Sequence, residues 1–93
     1  MKTPNFVSTK LDLIEVATRV LFEIDPANTY CNMNEDMDRE YENEASLLVE
    51  YFVKENMMLK RAVFLAFDKQ FGKGAYSEEK LNEAYRKINE YLV

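Results

Sequence analysis

"TKLDLIEVATRVLFEIDP", residues 9–26, is the stretch that decides the fold class. Its apolar residues recur at intervals of three and four positions and would form one stripe on a helix: Leu13, Ile14, Ala17, Val20, Leu21 and Ile24. Thr9, followed three residues later by Asp12, fits a helix cap. Pro26 ends the helix, because a proline disfavours the α conformation of the residue before it. The stretch predicts a first helix over residues 9–24, after a tail at residues 1–8.

The same period returns in three later segments. They predict helices over residues 38–55, 57–71 and 77–92, with a break at Asn56, a glycine end at Gly72 and a serine N-cap at Ser77. Residues 25–37 contain turn formers without a sustained period and predict a loop. Since no segment has the period of a strand, the sequence predicts one all-α domain over residues 1–93, a compact bundle of about four helices.

The charge of the chain is concentrated in one place. The chain has 17 acidic and 12 basic residues, and residues 32–44, which we call the acidic segment, hold one arginine, Arg39, and six acids: Glu35, Asp36, Asp38, Glu40, Glu42 and Glu44. The segment therefore accounts for the whole net charge of −5. No basic stripe is present that could neutralise phosphates, so we expect neither a nucleic-acid partner nor an anionic membrane surface.

Cysteine usage and hydropathy predict a cytoplasmic protein. Cys31 is the single cysteine and has no partner for an intramolecular disulfide. The N-terminal residues contain no apolar block of the signal-peptide type. The longest purely apolar run, residues 62–67, is too short to span a bilayer.

Calcium binding is one interpretation of the acidic segment. Residues 32–40 place Asn or acidic side chains at alternate positions, as calcium loops do. Met37 stands where such a loop needs glycine, and Asn43 stands where it needs a bidentate glutamate. The chain has no histidine, which argues against zinc or di-iron chemistry. Calcium binding is thus a minor alternative, and we expect no cofactor.

Two further interpretations compete for the acidic segment. Acids in the first turn of a helix interact favourably with its dipole, so part of the segment is explained as a solvated helix start. However, Asp36/Glu40, Asp38/Glu42 and Glu40/Glu44 are like-charged pairs at i,i+4 spacing, which weaken a helix. This excess indicates a surface for a basic protein partner, formed by Glu35, Asp36, Asp38, Glu40, Glu42 and Glu44. Tyr41, whose apolar ring we expect to face the core, would position this segment. A neutraliser of a toxin or nuclease would be an extreme case.

The third helix offers a different function. Its apolar arc is wider than one contact face needs, so the helix is either central or shared with a second subunit. Self-association into a homodimer through Met58, Phe64 and Leu65 is the alternative to the acidic surface. Catalysis is not expected, because the chain lacks a histidine base, a phosphate loop and a partner for a cysteine nucleophile. The sequence therefore favours a non-enzymatic protein-interaction module.

Residues 20–50 resemble a group of small, uncharacterised bacterial helical proteins. The resemblance lies in Asp25-Pro26 closing the first helix and in the run "DREYENEA", residues 38–45, opening the second. The loop of this chain is longer and more polar than that pattern. The resemblance implies an all-α fold and no known activity.

Overall fold

The computed structural model describes residues 10–29 and 35–92 and contains four α-helices in this part of the chain. They are α1 (Lys10–Ile24), α2 (Glu42–Val53), α3 (Leu59–Phe71) and α4 (Glu78–Glu90), with a 3-10 helix at Glu35–Met37 before α2. The described residues include no strand. The predicted all-α bundle of about four helices is confirmed. The predicted tail at 1–8, the cap at Thr9 and Cys31 lie outside the described residues.

The four helices form a closed ring of neighbours. α1 contacts α2 and α4, and α3 contacts the same two helices from the other side. No Cα atom of α1 lies within 8 Å of a Cα atom of α3, and the same holds for α2 and α4. Each helix therefore buries one face between two neighbours, and α1 and α3 lie diagonally opposite each other.

The core between the helices comes from the stripes that the sequence predicts. α1 contributes Leu13, Ala17, Val20 and Leu21 from its predicted stripe, and also Phe22, which the stripe did not include, whereas Ile14 and Ile24 are only partly buried. α4 contributes Leu81, Ala84 and Ile88. Aromatic side chains fill the centre, where the Phe67 ring lies 5.7 Å from the Tyr41 ring and 5.6 Å from the Tyr76 ring. Such ring distances are typical of favourable aromatic pairs.

The predicted start of the second helix was wrong by four residues. Residues 38–41 form turns after the 3-10 helix, and α2 begins at Glu42 with Tyr41 as its N-cap residue. Tyr41 makes no side-chain bond to the end of its own helix. Its hydroxyl bonds instead to residues that follow α1, and Arg39 reaches back to α1. These long-range contacts hold residues 38–41 out of a regular helix.

The predicted break at Asn56, glycine end at Gly72 and serine N-cap at Ser77 are confirmed, although α2 ends at Val53 and α3 begins at Leu59, each two residues farther from Asn56 than predicted. Asn56 between α2 and α3 has φ 58°, a left-handed conformation that Asn tolerates. Gly72 ends α3 with φ 89°, which favours glycine. The Ser77 hydroxyl accepts a 3.1 Å hydrogen bond from the backbone N–H of Lys80 at the start of α4. The described part of the chain includes no helix with the length and apolar character needed to cross a membrane.

Candidate functional site

Arg39, the single arginine of the acidic segment, is held by two glutamates. Arg39 donates two hydrogen bonds to the Glu15 carboxylate on α1, at 2.8 and 2.9 Å, and one to Glu42, at 2.7 Å. These bonds lower the pKa of Glu15 and of Glu42 from their usual value. All three side chains remain roughly half exposed, so water screens the pairing. Arg39 joins the start of α2 to α1 and neutralises part of the segment's charge.

The predicted partner-binding acids do not share one surface environment. Asp36 and Glu40 are exposed, Asp38 is partly buried, and Glu42 is exposed but paired with Arg39. The side chain of Glu35 lies outside the described residues. Glu44 points into the bundle and is only 7% exposed. The six acids therefore do not form the single exposed row that the sequence suggests.

Glu44 departs from the expectation of a surface acid because its position in α2 faces the core. It lies next to Ala45 and one turn before Leu48, both fully buried. Its Oε1 atom has no hydrogen-bond partner among the described residues. Burial raises the pKa of Glu44, and the nearby charge of Glu40 raises it further, while a bond to its own backbone N–H opposes the shift. Glu44 is thus a buried acid and is not available to a partner.

The part of the acidic segment that the structure describes contains no group of metal ligands. Within residues 10–29 and 35–92, no three His, Cys, Asp or Glu side chains are grouped so that they could hold a metal ion. Asn32 and Asn34, which begin the calcium pattern, lie outside these ranges. Calcium binding through residues 32–40 stays a prediction.

A buried polar cluster, which we call the polar joint, connects the end of α1 to the start of α2. Its members are Asp25, Ala27, Thr29 and Tyr41. The Tyr41 hydroxyl donates a 2.6 Å hydrogen bond to Asp25 Oδ1 and accepts one of 2.9 Å from the Ala27 N–H. The backbone N–H and the hydroxyl of Thr29 both donate to the same Asp25 oxygen at 3.0 Å. The joint thereby satisfies buried polar groups that would otherwise destabilise the fold.

The backbone conformation of Asp25 ends α1 and lets the Asp25 side chain take its place in the polar joint. Asp25 follows the last residue of α1 with φ 56°, and its N–H bonds to the Leu21 carbonyl at 2.7 Å, a left-handed C-cap. Burial, and then the bond to Asp25, raise the pKa of Tyr41 well above its usual value. A backbone hydrogen bond also connects this region to the start of α4, since the Ser77 N–H donates to the Pro26 carbonyl at 2.8 Å.

The sequence did not predict that the members of the polar joint come together. The prediction that the Tyr41 ring faces the core is confirmed, since this residue is fully buried. Its partner Asp25 is 16 positions away along the chain. The only features of the sequence that bear on this contact are an acid before a proline and a tyrosine within an acidic run. Asp25 and Tyr41 are both inaccessible, 3% and 0% exposed, so the joint supports the fold and does not contact a substrate.

The residues predicted for self-association come together in one open groove. Met58, Phe64 and Leu65 line it with Tyr85 of α4, and its volume is about 680 Å³. Met58 is 79% exposed, whereas the other three are partly buried. We call this surface the α3 groove. The surplus apolar arc of the third helix is therefore left partly uncovered by the rest of the described chain.

Charged side chains flank the α3 groove, and most of them are basic. The same groove is lined by Lys60, Arg61 and Lys73, all exposed, and by one acid, Asp68. Asp68 accepts a 2.5 Å hydrogen bond from the Tyr76 hydroxyl. Burial, and then this bond, raise the pKa of Tyr76 to about 12. The sequence indicated the apolar residues but not the cationic surface, because Lys73 joins Lys60 and Arg61 only when α3 and the loop after it are folded.

Comparisons with protein-family models, with curated proteins and with solved structures found no match to this chain. The resemblance of residues 20–50 to small bacterial helical proteins accordingly stays a prediction. The acidic segment and the α3 groove are therefore the features that bear on function.

Proposed function

We propose that the protein is a non-enzymatic protein-interaction module that docks a partner in the α3 groove. The observation that carries this proposal is the shared groove of Met58, Phe64, Leu65 and Tyr85, an apolar strip on a bundle whose other apolar faces are mostly buried. Apolar surface left open beside charged residues is a common feature of interaction sites.

The acidic segment supports a second candidate function, binding of a basic protein. Asp36 and Glu40 are exposed, and Arg39 fixes the backbone between them by bonding to α1 and α2. A fixed negative surface increases the association rate of a positive partner. This candidate ranks second because Glu42 is already paired and Glu44 is buried, which leaves fewer accessible charges than the sequence suggests.

Site-specific photo-crosslinking in the source cells tests the proposal. A photoreactive phenylalanine analogue replaces Tyr85, an aromatic residue that lines the groove from α4, and a second variant carries it at Leu11 as the control. Leu11 is 74% exposed on α1, the helix diagonally opposite α3. We expect one discrete adduct at position 85, none at position 11, and loss of the adduct when Met58→Asp is added.

The alternatives give different adducts in the same experiment. An adduct of twice the mass of the chain at position 85 would identify self-association, the alternative function that the sequence indicates. An analogue at position 40 that captures a partner when position 85 does not would transfer the function to the acidic segment. Absence of any adduct at position 85 would contradict docking in the α3 groove.

A further inference from the structure

We propose that the α3 groove receives an acidic amphipathic helix from another protein, an inference that rests on the docking function proposed above. The occupant would place a stripe of apolar side chains on the groove floor and carboxylates against the flanking cations. An amphipathic helix laid into an apolar groove is a recurrent mode of protein recognition.

The shape of the groove suits a helix. Its lining residues extend from Met58, just before α3, to Lys73, just after it. α3 has 13 residues, which corresponds to a length of about 20 Å at the helical rise of 1.5 Å per residue. A partner helix of three to four turns, about the average helix length in globular proteins, would cover this distance.

The positive charge around the groove favours a negatively charged occupant. The three cations contrast with the net charge of −5 for the chain. No ion pair joins Lys60, Arg61 or Lys73 to an acid within the described residues. Asp68, the one acid in the groove, is engaged by the Tyr76 hydroxyl. Carboxylates of a bound helix would therefore find cations whose positive charge is not already paired.

One end of the groove is less positive than the other. Lys60 and Phe64 also border a smaller depression that contains Glu78 and Glu79 of α4. These two carboxylates weaken the attraction of an acidic helix near Lys60. Arg61 and Lys73 lie outside that depression, so we expect them to contribute most of the charge selectivity.

A second copy of the chain fits the groove poorly. In a two-fold dimer with groove facing groove, Lys60, Arg61 and Lys73 would meet the same three cations of the copy, and like charges brought together oppose association. The acidic helix start of a copy also lacks a free apolar stripe, because Tyr41, Ala45 and Leu48 are fully buried in its own core. A small ligand is less suitable too, since such sites usually enclose most of the ligand, and this groove is open.

Binding of designed peptides measured by fluorescence anisotropy tests the inference. The first peptide is a labelled helix with leucines at i, i+3, i+4 and i+7 spacing and glutamates on both flanks. The second keeps the leucines and replaces the glutamates with lysines. The third is a scrambled version of the first without a stripe. We expect the acidic amphipathic peptide to bind at least about ten-fold tighter than either control, the free-energy equivalent of about 1.4 kcal/mol.

Variants of the protein show whether binding occurs in the groove. Met58→Asp adds a charge to the apolar floor, and Asp is a favourable residue at this N-cap position, so α3 should remain folded. Arg61→Glu with Lys73→Glu reverses the flanking charge. We expect both variants to weaken binding about ten-fold or more, the second to prefer the lysine peptide, and the control Leu11→Asp to bind as the unaltered protein does.

The outcomes separate the inference from the function on which it rests. Equal binding of the acidic and lysine peptides, reduced by Met58→Asp, would overturn the acidic occupant and leave the docking groove. A concentration-dependent dimer in sedimentation, lost in Met58→Asp, would overturn the inference in favour of a second copy. Peptide binding that Met58→Asp leaves unchanged would remove the groove itself and with it the proposed function. Circular dichroism of each variant confirms that the fold is retained.

Discussion

The acidic segment and the α3 groove differ in how the fold uses their charged groups. In the acidic segment, Arg39 is held by Glu15 and Glu42, and Glu44 is buried. In the groove, Lys60, Arg61 and Lys73 are exposed and make no ion pair with acids of the described residues. The densest charge in the sequence is thus partly used within the molecule, whereas a sparser set of charges is available to a partner.

The two regions also differ in how firmly their side chains are packed into the fold. Tyr41 attaches the start of α2 to the core through its ring and to the polar joint through its hydroxyl. Met58, which opens α3 at the edge of the groove, is largely in solvent. Removing a side chain should therefore cost much stability in the first region and little in the second.

Tyr41→Ala should give the largest effect. It removes a fully buried aromatic ring and the 2.6 Å hydrogen bond that the Tyr41 hydroxyl donates to the Asp25 carboxylate. Buried aromatic-to-alanine changes typically lower the free energy of unfolding by about 3–5 kcal/mol. Urea unfolding followed by circular dichroism measures the change, and Met58→Ala is the matched control at the groove. Equal losses in the two variants would mean that Met58 is as well packed as Tyr41, contrary to the structure.

Glu44→Gln should give a smaller effect of opposite sign. The folded protein raises the pKa of Glu44, so the charged carboxylate is less favourable in the folded chain than in the unfolded chain. The contribution of Glu44 to stability is fully present below the usual glutamate pKa and is lost as the pH rises through the raised value. At pH 7, Glu44→Gln should therefore increase the free energy of unfolding by about 1 kcal/mol.

The pH dependence distinguishes this cause from a packing effect. The advantage of Glu44→Gln should shrink on acidification and vanish near pH 4, where the glutamate is largely neutral in the folded state. Unfolding curves at pH 4, 5, 6 and 7 for both proteins measure it. A gain of the same size at every pH would attribute the effect to the amide group itself.

Arg39→Met should have the smallest effect on stability. It keeps much of the side-chain length but removes the bonds to Glu15 and Glu42, which are exposed pairs screened by water. We expect a small loss of stability at low salt, decreasing as salt is added. Thermal unfolding at two ionic strengths tests this, with Lys54→Met, which removes the exposed Lys54–Glu50 pair at the end of α2, as the control. A large loss that salt does not change would show that Arg39 fixes the α1–α2 connection by more than charge.

Sequence alone determined the helices of this protein and most of their inner faces. The period of Leu13, Ala17, Val20 and Leu21 is a local property, because residues three and four apart meet on one face of a helix whatever lies opposite. The ends at Asn56, Gly72 and Ser77 were equally local, since each depends on the conformation or the hydroxyl of one residue.

Only the tertiary structure decided what the charged and polar residues do. Arg39 reaches Glu15 across 24 positions, and Tyr41 reaches Asp25 across 16, so neither contact follows from a helical period. The burial of Glu44 depends on the neighbours that pack over the face of α2 that it shares with Ala45 and Leu48. The cations of the α3 groove gather because the helix and the loop after it line one depression with α4. Local spacing specifies which face of a helix is apolar, but the fate of a charge depends on which distant groups the packed helices bring within a few ångströms of it.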